Sequence, residues 1–99
     1  MKNVLNNISL CRKAGALIIG FDAVIEAAEK GKAKGVLTTR DLSEKTLKEI
    51  NFYAEKFKTE ICVLPEEITM SQIKKITGKQ AGVMAVTDDG LLRVIINSE

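Results

Sequence analysis

The chain contains no histidine. The side chain that most often moves protons near neutral pH is therefore absent, and with it the commonest metal ligand. Cysteine is scarce: Cys11 and Cys62 stand alone, each among apolar neighbours. Two thiols without histidine cannot build a zinc site, and their spacing is no redox motif, so both read as small core residues. One proline and seven glycines, in a chain 45% hydrophobic and 28% charged, exclude a disordered tail, a collagen-like repeat and a coiled coil. The longest apolar runs, Gly15 to Phe21 and Ala81 to Val86, are far shorter than the roughly 20 residues of a membrane helix. The opening Met1-Lys2-Asn3-Val4-Leu5-Asn6-Asn7 breaks into asparagine instead of an apolar leader. These absences predict a soluble, cytoplasmic protein with no metal and no cofactor, and they leave out most of the familiar catalytic constellations.

Ninety-nine residues suffice for one domain spanning 1–99, burying about two-thirds of its unfolded surface in a single core. The formal net charge of +2 is unevenly placed. Residues 1–40 carry seven basic groups (Lys2, Arg12, Lys13, Lys30, Lys32, Lys34, Arg40) against three acidic ones (Asp22, Glu26, Glu29). Residues 41–99 carry eight against ten. Such asymmetry points to a polyanion-facing region. Lysines after a helix C-terminus also favour the helix dipole, which is the structural alternative.

Apolar spacing predicts alternating elements. Val4, Leu5, Ile8 and Cys11 recur at helical intervals, and Gly15 ends that helix. Leu17-Ile18-Ile19 is a very short apolar run stopping at Gly20. Phe21, Val24, Ile25 and Ala28 mark a second helix closed by Lys30-Gly31, and Val36 to Thr39 a buried strand. Ser43 is the expected N-cap of a third helix with a core stripe of Leu47, Ile50, Ala54 and Phe57. Ile61 to Leu64 is a strand ended by Pro65. Thr69 and Gln72 form a capping box, with Ile68 stapled onto Ile73, and that short helix ends at Gly78. Val83 to Thr87 is another fully buried strand. After it two patterns compete: Asp89-Gly90 as a hairpin turn leading to a strand, or Asp88 capping a last helix. Helices alternating with short buried strands predict an α/β fold with a parallel or mixed sheet.

Gly15 to Gly20 has the glycine spacing of a phosphate-binding loop, but Phe21-Asp22 occupies the place of the Lys-Ser/Thr that such a loop needs. What survives is a glycine turning into a helix whose first N–H groups have no internal partners and suit a phosphate or a base edge. Asp22 can cap those groups. Asp88-Asp89 read as capping rather than metal-binding residues. Thr77-Gly78-Lys79-Gln80-Ala81-Gly82 is a loop with two glycines, a cation and an amide, suited to lay backbone donors against a ligand. The only aromatics, Phe21, Phe52, Tyr53 and Phe57, do not form a strand platform for stacking bases.

Three strings then resemble one family: Gly20-Phe21-Asp22-Ala23-Val24-Ile25, Gly31-Lys32-Ala33-Lys34-Gly35-Val36-Leu37, and Gly78-Lys79 leading to Val83-Met84-Ala85-Val86-Thr87-Asp88. In this order they are similar to the L-seven-Ae / L-thirty-e family of small ribosomal and ribonucleoprotein proteins, with most likeness to its bacterial YlxQ-type branch. The resemblance covers nearly the whole chain. It implies a three-layer α-β-α sandwich with a four-stranded mixed sheet, and a helix as the final segment. It also implies binding of kink-turn or other structured RNA, by the start of the second helix and the loop before the last strand. On this chain those segments are Gly20 through Glu26 and Lys79 through Met84. The RNA-contacting residues so implied are Lys13, Gly20, Phe21, Asp22, Ala23, Glu26, Arg40, Lys79, Gln80, Val83 and Met84. The implied partners are ribosomal or other structured RNA and ribosomal proteins, with a monomer when free and no membrane association.

The chain departs from the family pattern where Asp22-Ala23 and Glu26 replace an Asn-Glu pair followed by lysine, and where Ala16 replaces a frequent lysine. A carboxylate in place of a cation repels phosphate; Arg40 can compensate. The alternative these departures raise is a protein–protein interaction module that kept the fold and lost kink-turn recognition. A continuous positive surface joining Lys13, Arg40 and Lys79 would favour RNA.

Overall fold

A computed structural model describes residues 3–97. Along them run α1 (Val4–Lys13), β1 (Leu17–Ile19), α2 (Phe21–Glu29), β2 (Gly35–Thr38), α3 (Glu44–Lys56), β3 (Ile61–Val63), α4 (Met70–Thr77), β4 (Val83–Val86) and α5 (Asp89–Asn97). The strands form one sheet in the order β1-β4-β2-β3. β4 lies antiparallel to both neighbours, pairing Leu17 with Val86 and Ile19 with Met84 on one side and Thr38 with Val83 on the other. β2 and β3 are parallel, with Val36 opposite Ile61. The sheet is therefore mixed and open.

Strand alternation builds two cores. Leu37, Met84 and Val86 face the layer of α1, α4 and α5, where Val4, Ile8, Cys11, Ile73, Leu92 and Ile95 are buried. Val36, Val83 and Ala85 face the other layer, against Val24 of α2 and Ile50 of α3. This is the expected three-layer sandwich, and it explains why β2 and β4 read as unbroken apolar runs. Both faces are covered. Cys11 is buried and Cys62 packs half-buried against the first core. Burial, and then the nearby Asp88 carboxylate, push the Cys11 thiol above its ordinary pKa.

Chain ends of the elements follow local chemistry. The Ser43 side chain accepts from the Thr46 amide, and Thr69 Oγ1 accepts from the Gln72 amide. The ambiguous last segment is a helix: Asp88 Oδ1 accepts from the Leu91 amide at 2.9 Å, which settles the choice against a hairpin.

Two expectations change. Asp22 does not cap α2; its carboxylate is exposed and makes no hydrogen bond among the described residues. Leu47 is 36% exposed instead of core. α3 is about 20 Å long at 1.5 Å per residue, against strands of roughly 10–13 Å, so its apolar stripe outruns the sheet.

Candidate nucleic-acid interface

The register places the end of β1, the start of β4 and the ends of β2 and β3 at one edge of the sheet. There the Gly20 amide donates to the Val83 carbonyl at 3.0 Å, while the Gly20 carbonyl accepts from Val24 and opens α2. Gly20 has φ +106° and ψ 146°, a combination nearly closed to residues bearing a Cβ. The sharp turn this allows leaves the first amides of α2 pointing out of the sheet edge. The Lys79 ammonium stands 3.9 Å from where a Cβ on Gly20 would lie. Two segments far apart in sequence thus form one surface.

The loop that carries Lys79 is fixed at both ends. Gly78 adopts the left-handed conformation (φ +80°) that terminates α4, and its amide donates to the Lys74 carbonyl at 2.8 Å. The buried Thr77 hydroxyl donates to Ile73 O at 2.7 Å and accepts from the Lys79 amide at 3.2 Å. At the other end the Gly82 carbonyl accepts from the Thr39 amide at 3.0 Å. A Cβ on Gly82 would overlap the Leu42 side chain and lie 2.8 Å from Thr39 Oγ1. Between these anchors Lys79 and Gln80 are exposed.

A third segment completes the edge. Arg40 Nε donates to Leu64 O at 3.0 Å, bridging the ends of β2 and β3 and setting the exposed guanidinium beside an open cleft with Asp41, Glu66 and Thr69. Asp41 accepts from the Met70 amide at 3.2 Å, at the start of α4. The Thr39 hydroxyl, which approaches Asp41 without completing a hydrogen bond of good geometry, and then the Met70 amide hold this carboxylate below its usual pKa.

Of the residues implicated by sequence, Gly20, Asp22, Ala23, Lys79, Gln80 and Arg40 share this end of the molecule. Five others are placed differently. Val83 and Met84 are 3% and 0% exposed, with side chains in the two cores, so only their backbone borders the surface. Phe21 is half-buried and meets Tyr53 edge-on at 6.3 Å, tying α2 to α3. Lys13 lies at the opposite end of the sheet, where Ala16 O accepts from the Thr87 amide. Lys13 is therefore set apart from Arg40 and Lys79 by the length of the strands. Glu26 lies further down α2, its carboxylate 2.8 Å from Lys30 Nζ. The hydrogen bond and charge of Lys30 hold it below the ordinary carboxylate pKa.

From sequence, Thr77 is named only as the first residue of the loop, and Lys74 and Lys75 are not singled out. The two lysines are exposed in the last turn of α4, the helix that leads into the Lys79 loop. The signal available was a threonine just before a helix-ending glycine, since a hydroxyl there can bond both backward and forward.

The model of the ribosomal protein L7Ae/L30e/S12e/Gadd45 family matches residues 2–96. No curated protein matches the chain at a significant level. Among solved structures, a protein with unknown function from Bacillus halodurans C superposes with TM-score 0.82 at 21% identity, covering 95% of this chain and 93% of its own. A Giardia lamblia 15.5kD RNA binding protein superposes with TM-score 0.75 at 14% identity, covering 96% of this chain and 80% of that one.

Proposed function

The chain belongs to the ribosomal protein L7Ae/L30e/S12e/Gadd45 family, and on that premise we propose that it is a non-enzymatic, cytoplasmic RNA-binding protein of the YlxQ-type branch. Its ligand is a kink-turn or similarly bent RNA, and it acts at or near the ribosome. The observation that carries the reading is the joint placement of Gly20 and the 79–82 loop, with the Gly20 amide on Val83 O and the Lys79 ammonium over Gly20. Open amides at the α2 start suit phosphates or base edges, and the loop offers backbone and small side chains to extruded bases. Lys79 and Arg40 hold the phosphates, which position the RNA without reading its sequence. The Giardia protein with the same fold is named as an RNA binder.

Titration of a kink-turn RNA and an unkinked duplex of the same composition tests this. The kinked RNA binds more tightly at moderate salt; equal affinity removes the preference, and no binding to either removes RNA as the ligand. A second reading, a protein-binding module that retains the fold, is favoured by the exposed carboxylates of Asp22, Asp41, Glu66 and Glu67 around this surface. It predicts the last of those outcomes.

A further inference from the structure

The cation surplus of residues 1–40 lies mostly away from this interface. Lys2 falls outside the described residues and Arg40 is at the Gly20 end. The remaining five, Arg12, Lys13, Lys30, Lys32 and Lys34, gather at the opposite end of the sheet. The Lys34 amide donates to Val86 O at 2.8 Å, and Val86 pairs with Leu17 on its other side. The end of α1 and the loop after α2 are thus about two strand spacings, roughly 10 Å, apart.

We propose that this end is a second RNA contact, which holds the sugar–phosphate backbone of a stem leaving the Gly20–Lys79 surface and running down α2. The proposal rests on the RNA-binding reading above. Arg12, Lys13, Lys32 and Lys34 are exposed and have no hydrogen bond or ion pair through their side chains among the described residues; Lys30 is held by Glu26. Helix dipoles account for Arg12, Lys13 and Lys30, which close α1 and α2. They do not account for Lys34, which lies beyond the turn closed by the Lys32 amide on Ala27 O.

The carboxylates at this end are distributed around the lysine loop. Asp88 caps α5, Asp89 begins that helix in the α1 layer, Glu60 precedes β3, and Glu29 ends α2. A groove leads from the first interface to the loop, lined by Ile18, Ala23, Glu26, Ala27, Lys30 and Lys32. Its length follows α2, about 13 Å for nine residues at 1.5 Å per residue, within reach of a single RNA stem. Phosphate contacts of this kind add affinity and salt dependence without sequence preference.

The test uses the full chain and two kink-turn RNAs, one with a stem too short to reach Lys32 and one extended by a helical turn. For K32A/K34A we expect binding of the extended RNA to fall roughly tenfold at low salt, with the slope of log affinity against log salt reduced by about two. Binding of the short RNA stays unchanged. Extended-RNA binding equal to wild type overturns the second contact and leaves the first intact. Equal losses on both RNAs also overturn it, because the lysines would then act as a general field. A wild-type chain that binds neither RNA overturns both readings. Thermal unfolding of the variant, in which only exposed side chains are truncated, confirms that folding is preserved.

Discussion

Lys79 holds its ammonium nitrogen 3.9 Å from the point that a Cβ on Gly20 would occupy. The two residues belong to different elements, and the Gly20 amide bond to Val83 O fixes their proximity. Everything proposed about binding depends on that fixed relation.

Gly20→Ala tests the backbone half of it. Space is available, so the cost is conformational: φ +106° with ψ 146° is unfavourable for alanine by about 1–3 kcal/mol. Urea unfolding is expected to show a loss of this size, with weaker RNA binding at temperatures where the variant is folded. Unchanged stability would mean that the turn can be made another way.

Thr77→Val keeps the shape and removes the hydroxyl that bonds Ile73 O and the Lys79 amide. Stability is expected to drop by about 1–2 kcal/mol. The discriminating readout is hydrogen exchange at the Lys79 amide, which should accelerate more than at core amides of α4. Uniform acceleration would reduce Thr77 to a general stabiliser.

Much of this architecture was legible in the sequence, for identifiable reasons. Val83 to Val86 reads as a strand buried on both faces because its alternate side chains serve two different cores. Thr69 and Gly78 bracket α4 because a hydroxyl N-cap and a left-handed C-cap are chemically specific. Leu47 misleads because periodicity shows which face is apolar and not how far the sheet extends beneath it. The candidate site was legible as two segments but not as side chains. Strand residues Val83 and Met84 turn inward, and Lys13 is sent to the far end by β1, a consequence of topology that charge counts do not contain. Thr77 was legible as a loop residue, but the bonds of its hydroxyl depend on the loop conformation.

Asp41→Asn addresses pH. The folded pKa of Asp41 lies below its unfolded value near 4. Its contribution is therefore complete above that value and is lost as pH falls through the folded pKa. Asparagine should cost about 1 kcal/mol at neutral pH, as for a weakened helix cap, and should flatten the stability profile below pH about 4. A variant whose acid profile parallels wild type would show that another carboxylate governs that range.

Two charge changes probe the interface in opposite directions. Lys79→Ala should weaken RNA binding and lower the salt slope by about one. Glu26→Lys removes a carboxylate now paired with Lys30 and should tighten binding several-fold. Filter-binding titrations across a salt series measure both. An unchanged slope takes Lys79 out of the interface, and weaker binding by Glu26→Lys would show that the carboxylate makes a needed contact.

The most direct test is amide chemical-shift mapping of the chain titrated with a kink-turn RNA. The account predicts that the largest changes fall together on residues 20–26 and 79–82, saturating at one RNA per protein. Changes confined to other surfaces, with both segments unmoved, would contradict it.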